Sequence, residues 1–128
     1  MKYTYTSVIT HDGDRYFARV PDLSGCISSG STVEEAIDMI TDALALTLTF
    51  YEDENMEIPA PTPQSKIPHD NDDICTIIRV DTIAYRAATD TRSVRKNVSL
   101  PAWMYNLAEK RGLNCSKILQ EALMQKLA

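Results

Sequence analysis

The last 37 residues constrain the fold most, because they are rich in leucine but too few to bury a hydrophobic core alone. The stretch RKNVSLP at 95–101 alternates polar and apolar residues, which predicts a strand with Val98 and Leu100 on one face. Two helices are predicted after it, since Pro101 suits a first helical turn and Gly112 suits a helix C-terminus. One strand with two helices leaves an open strand edge, so this segment needs a partner.

Two copies of the segment solve both problems if they pair strand against strand, with the helices intertwined beneath. The predicted dimer core is Val98, Leu100, Trp103, Leu107, Ile118, Leu119, Ala122 and Leu123. The alternative is a helical hairpin that docks on the rest of the chain, which leaves the basic strand unexplained.

The outward face of such a two-stranded ribbon suits the major groove of DNA. Arg95 can donate two hydrogen bonds to guanine, and Asn97 can form two hydrogen bonds with adenine. Ser99 can donate or accept one hydrogen bond. These three residues are therefore predicted to read bases. Asn114 is a good N-cap, and the free amides at the start of the second helix can hold a phosphate. The predicted phosphate-binding residues are Lys96, Asn114, Cys115, Ser116 and Lys117.

The net charge of −5 is the sum of a negative charge in one part of the chain and a positive charge in the other. Residues 1–91 hold six Lys/Arg and 16 Asp/Glu, a net of −10, whereas residues 92–128 hold seven and two, a net of +5. Opposite charges indicate two modules with different partners: nucleic acid for the basic end and a basic partner for the acidic end. The alternative is that the acidic and the basic surface both face solvent and bind no partner.

The first 80 residues predict an α+β domain. KYTYTSVIT and RYFARV read as strands around an HDGD turn, and a short extended piece contains Ile27. Thr32 and Glu35 form a capping box at the start of one long helix with apolar residues at helical spacing. A proline-rich acidic loop follows, and then the β-branched run ICTIIRV. The predicted organisation is a domain at 1–80, a polar linker at 81–91 and the basic module at 92–128.

Composition and motif spacing exclude several classes of function. Three scattered cysteines with no CxxC argue for reduced, structural thiols. No apolar run long enough for a membrane and no signal core is present, so the cytoplasm is the expected location and no membrane partner is predicted. The only histidines, His11 and His69, lack zinc-ligand spacing, and no phosphate-binding glycine motif occurs. We predict no catalytic residues, no metal and no cofactor.

Two families are similar to this pattern. The segment from Arg95 to about Leu127 resembles the ribbon-helix-helix family of transcription repressors, through NVSLP, GLNCS and the apolar second helix. The first 80 residues resemble HicB antitoxins, the partners of HicA toxins. VPDLSGC after an aromatic strand, a glycine before the TVEEA helix, and IPAPT after an acidic helix end carry that resemblance.

The HicB resemblance implies a truncated RNase H-like fold, with an antiparallel or mixed sheet, that binds a small mRNA-cleaving HicA-type toxin. It also implies that the second module binds the operon's own operator DNA as a homodimer, with a tetramer as an alternative. The candidate toxin-binding residues are Pro21, Asp22, Leu23 and Ser24, although the same residues also suit a tight turn chosen for backbone geometry.

Two other hypotheses remain open. The chain is alternatively a transcription regulator without a toxin partner, or a metal-dependent nuclease that uses Asp12 and Asp14. The nuclease is disfavoured because the predicted strands carry almost no acids, whereas two-metal sites need converging carboxylates. An RNase H-like fold can persist without its chemistry.

Overall fold

The computed structural model describes residues 1–128, and the chain forms a four-stranded sheet with one long helix, followed by three shorter helices. The elements are β1 (Lys2–Asp12), β2 (Arg15–Arg19), β3 (Ile27–Gly30), α1 (Val33–Asp53), β4 (Ile74–Asp81), α2 (Thr82–Thr89), α3 (Ala102–Lys110) and α4 (Cys115–Leu127). The strand order is β3-β2-β1-β4, and each neighbouring pair is antiparallel. The α+β prediction is confirmed, and the mixed-sheet alternative is wrong.

Helix α1 covers one face of the sheet. Its residues Ala36, Ile40, Leu44 and Leu48 are fully buried, at the spacing of one helical face. They join Tyr5 and other strand residues in a single core of 13 buried side chains. Because every member of this core lies between residues 5 and 80, the hydrophobic core belongs to the acidic part of the chain, which we call the head (residues 1–91).

The start of α1 shows why the SSGSTVEEA sequence folds as it does. The Thr32 side chain accepts a hydrogen bond from the Glu35 amide at 3.1 Å, as a capping box requires. The Glu35 carboxylate accepts from the Ser31 hydroxyl at 2.8 Å. A Cβ on Gly30 would lie 2.5 Å from the Ala36 amide nitrogen, so this close approach of β3 to the helix requires glycine.

The loop between α1 and β4 returns along the sheet. The register pairs Lys2 with Asp81 and Ile9 with Ile74, so β4 begins at the end of the sheet opposite to the end of α1. The loop is attached on its way, since Arg19 donates to the Pro68 carbonyl at 3.4 Å. Thr6 and Val8 point away from α1 but are also buried, as is Ile67 of this loop. The loop therefore covers the middle of the second face.

Residues 81–101 contain a helix that the sequence analysis did not predict, and they form no strand within a single chain. The predicted polar linker at 81–91 contains helix α2, capped by the Asp81 side chain, which accepts from the Ile83 amide at 3.0 Å. Residues 95–100 form no strand within this chain. A strand needs a hydrogen-bonded neighbour, and no other part of a single chain pairs with this segment.

Candidate functional site

The basic module at 92–128, which we call the tail, has no buried residue in a single chain. Every side chain in it is exposed except Ala108, which is half-buried. Helices α3 and α4 are therefore amphipathic elements whose apolar sides face solvent. Exposed apolar surface of this extent marks an interaction site.

The apolar sides of the tail meet around one cavity of about 480 Å³ between the extended segment, α3 and α4. Its lining residues are Lys96, Val98, Leu100, Met104, Ala108, Leu113, Cys115, Ser116, Ile118, Leu119 and Ala122. Five of the eight predicted core residues line this cavity. Trp103, Leu107 and Leu123 lie outside it and are exposed. Sequence reasoning missed Met104 and Leu113; Met104 stands one helical turn before Ala108, a spacing that could have identified it.

The extended segment presents two different sides, as the alternation predicts. Lys96, Val98 and Leu100 face the cavity, whereas Asn97 and Ser99 do not line it. Arg95 lines a neighbouring hollow beside α4, which shares Lys96, Ser116 and Leu119 with the cavity. Asn97 and Ser99 are thus exposed and lie away from the cavity, whereas Arg95 lies beside Leu119 and Leu123. Base contact by these three side chains stays a prediction.

The start of α4 holds most of the predicted phosphate-binding residues together. Asn114 caps the helix, because its side-chain oxygen accepts from the Lys117 amide at 3.1 Å. Cys115 and Ser116 are exposed in the first turn, where amide groups lack helical partners. Lys96 lies apart from them in sequence but lines the same cavity as Ser116. Phosphate binding by this group also stays a prediction.

The turn after β2 uses two of the four candidate toxin-binding residues for folding. Leu23 is buried in the core. The Asp22 carboxylate accepts from the amide of Thr62 at 2.9 Å and from its hydroxyl at 2.5 Å, which ties the turn to the long loop. Pro21 and Ser24 are exposed. Contact with a partner at this turn remains a prediction, and the geometry favours a structural role for Asp22 and Leu23.

A polar cluster joins α2 to the rest of the head. The Glu52 carboxylate accepts from the Tyr3 hydroxyl at 2.7 Å, from Thr82 at 3.0 Å and from the Arg86 guanidinium at 3.1 Å. Burial, helped by the hydrogen bond to Glu52, raises the pKa of Tyr3 to about 12. Burial also raises the pKa of Glu52, but hydrogen bonds from Tyr3, Arg86 and Thr82 outweigh it and hold that pKa below 4.5. Sequence reasoning found none of these residues.

The remaining titratable and thiol groups do not assemble into a second site. The acids of the hairpin turn and of the loop before β4 form no group of three or more potential metal ligands. All three cysteines are free thiols, and burial raises the pKa of Cys26. No helix is both long and apolar enough to cross a membrane.

Comparison with known proteins places both modules in one family. The family model described as "HicB_like antitoxin of bacterial toxin-antitoxin system" matches residues 5–122, which span the head and most of the tail. The chain belongs to the HicB-like antitoxin family. This is a regulatory family and not a family of enzymes.

Curated relatives match about half of the chain. The chain is 38% identical over 63 residues to antitoxin HicB 1 of Photorhabdus laumondii, covering 49% of this chain and 40% of that protein. It is 32% identical over 69 residues to antitoxin HicB of Escherichia coli K12, covering 54% and 49%. The match therefore spans less than half the length of either relative.

Solved structures share the fold along the whole chain. A toxin–antitoxin complex from Streptococcus pneumoniae contains a chain that matches with a TM-score of 0.62 at 22% identity, covering 98% of this chain and 99% of that one. The Burkholderia pseudomallei antitoxin HicB matches with a TM-score of 0.53 at 21% identity, covering 100% and 99%. At these identities the likeness shows the fold alone.

Proposed function

We propose that this chain is the antitoxin of a type II toxin–antitoxin system: the head binds and neutralises a HicA-type mRNA-cleaving toxin. The observation that carries the proposal is the family match, which spans both modules. The head's net charge of −10 supports it physically. An acidic surface attracts and holds a cationic RNA-binding protein. We further propose that the head is a truncated RNase H-like fold that retains no catalysis.

The tail is proposed to act as a ribbon-helix-helix dimer that binds the operon's own operator and represses it. The exposed apolar side chains around the 480 Å³ cavity support pairing, because a second copy would bury them. Pairing would also supply the strand partner that residues 95–100 lack in a single chain. Arg95, Asn97 and Ser99 of both copies would then line one ribbon, with Lys96 and the start of α4 near the phosphates. The homodimer is the expected unit, with a tetramer as the alternative.

Neutralisation is tested by co-expression with the HicA-type protein encoded beside this chain's gene. We expect the toxin alone to arrest growth and degrade mRNA, and the wild-type chain to restore both. A toxin whose catalytic histidine is replaced serves as the control for expression load. Arrest that persists despite equal amounts of the two proteins would refute the antitoxin function.

Autorepression is tested separately with a reporter gene behind the promoter of the same operon. We expect the wild-type chain to lower reporter activity, and a version that ends at residue 91 to leave it unchanged. The alternative function, a transcription regulator without a toxin, predicts repression in this assay but no neighbouring HicA-type reading frame. The two functions therefore differ in a measurable way.

A further inference from the structure

The cations of the sheet are absent from the helix side of the head. No Lys or Arg occurs between Arg19 and Lys66, a stretch that holds nine Asp and Glu and includes all of α1. The strand register places Lys2, Arg15, Arg19 and Arg79 on the sheet face that points away from α1. The helix side of the head is therefore acidic, whereas the far side of the sheet carries these cations together with Asp12 and Asp81.

The solvent side of α1 is also apolar. Directly opposite its buried side lies a line of residues that we call the outer stripe: Asp38, Met39, Asp42, Leu46, Phe50 and Asp53. Met39 is 49% exposed, Leu46 58% and Phe50 54%. The stripe runs for about 22 Å along the helix at 1.5 Å per residue. Three large apolar side chains lie exposed between carboxylates on a helix that carries no cation. Asp53 at the end of the stripe pairs with Arg86 of α2 at 2.9 Å, so the surface without a partner is residues 38–50.

We infer that the outer stripe of α1 is the surface on which the toxin docks. This inference rests on the proposed antitoxin function. A protein that binds mRNA must present cationic groups to the phosphates. The carboxylates of the stripe can form ion pairs with those cationic groups in place of the RNA phosphates. Docking here would therefore prevent the toxin from binding mRNA. Met39, Leu46 and Phe50 supply the apolar contact that an interface needs at its centre, while the carboxylates steer the encounter.

Other surfaces of the head fit a cationic partner less well. The far side of the sheet mixes cations with Asp12 and Asp81, and the loop before β4 covers its middle, so it offers a cationic partner no continuous acidic surface. In the turn after β2, Leu23 is buried and Asp22 is hydrogen-bonded to Thr62. The end of α4 is a competing occupant of the stripe, because Met124 and Leu127 line a hollow shared with Leu46 and Asp53. The other apolar side chains of the tail surround their own cavity, where a second copy would bury them.

The test compares two full-length variants with equal changes in net charge. Asp38→Lys/Asp42→Lys reverses two carboxylates of the stripe, and Asp14→Lys/Asp72→Lys reverses two exposed carboxylates elsewhere on the head. The probe is the neighbouring HicA-type protein with its catalytic histidine replaced, and affinity is measured by calorimetry at two salt concentrations. We expect the stripe variant to bind more than about 30-fold more weakly and the control to change by less than about threefold. Leu46→Ser should weaken binding without changing its salt dependence.

The outcomes distinguish the proposed docking surface on α1 from the antitoxin function on which it rests. Equal affinity of the stripe variant and the control would overturn the docking surface, while the antitoxin function would stand. Failure of the wild-type chain to bind the probe would refute the antitoxin function itself. A stripe variant with unchanged toxin affinity but altered operator affinity would show that the basic tail occupies α1, which also overturns the inference. Thermal melts of all variants confirm that the head remains folded.

Discussion

Glu52 at the end of α1 and Arg86 on α2 form an ion pair, with 3.1 Å between Oε1 and Nη2. A second oxygen, on Asp53, lies 2.9 Å from Nη1 of the same guanidinium. These two contacts hold α2 against the end of α1. The tail therefore follows a docked helix, whereas the sequence predicts a polar linker at 81–91.

Removal of the Glu52 charge is expected to loosen α2. We expect Glu52→Gln to lower the free energy of unfolding by about 1 kcal/mol at pH 7, a modest value because the Arg86 side chain is 38% exposed and screened by solvent. The pKa of Glu52 is lowered in the folded chain, so the ionised carboxylate stabilises the fold above pH 4.5. This contribution is lost as the pH falls through the folded-state pKa.

Urea unfolding of the two proteins between pH 3 and pH 7 checks this expectation. The stability difference should be full at pH 7 and shrink below pH 4.5. Glu57→Gln, in the exposed start of the long loop, is the control and should show no difference at any pH. A Glu52→Gln difference that stays constant down to pH 3 would contradict the assignment.

Gly30 is expected to tolerate no side chain. Gly30→Ala would place a Cβ 2.5 Å from the Ala36 amide nitrogen, which is backbone and cannot move aside cheaply. We expect a loss of about 1–3 kcal/mol in the free energy of unfolding, the usual cost of overpacking. Ser28→Ala on the same strand is the control, with an expected change within about 0.5 kcal/mol. Equal melting temperatures for both variants would disprove the close approach.

Specific DNA binding is expected to depend on the outward side of the extended segment. Arg95→Ala and Asn97→Ala should each weaken operator binding by about 1–3 kcal/mol, the value of one bidentate base contact. Gel shifts with operator and with scrambled DNA measure the effect. Lys126→Ala, at the far end of α4, should leave the preference for operator DNA unchanged. Wild-type affinity for operator DNA in both Arg95→Ala and Asn97→Ala would contradict the assignment of residues 95–100 as a DNA-binding ribbon.

Dimerisation is expected to depend on the cavity between α3 and α4. Leu119→Lys places a charge in the lining and should give monomers that no longer bind DNA. The same variant should still neutralise the toxin, because neutralisation is assigned to the head. Analytical ultracentrifugation separates the two states, with Gln125→Lys on the exposed end of α4 as the control. An intact Leu119→Lys dimer would place the pairing surface elsewhere.

Local signals allowed much of the fold to be predicted. The Thr32 cap and the apolar spacing after it located α1, and the Asp-Gly turn located the first hairpin, because these signals act between residues a few positions apart. Helix α2 was missed because its stability depends on Asp81 as a cap and on the Glu52–Arg86 pair. That pair joins residues 34 positions apart.

The sequence by itself determined the elements except α2, the charge division between head and tail, and the alternation of residues 95–100. Only the tertiary structure decided that Met39, Leu46 and Phe50 of α1 stay exposed and that Leu23 is buried. It also decided that the apolar residues of the tail stay exposed in one chain. The physical reason is that periodicity records which residues share a face, whereas burial depends on which distant surface covers that face.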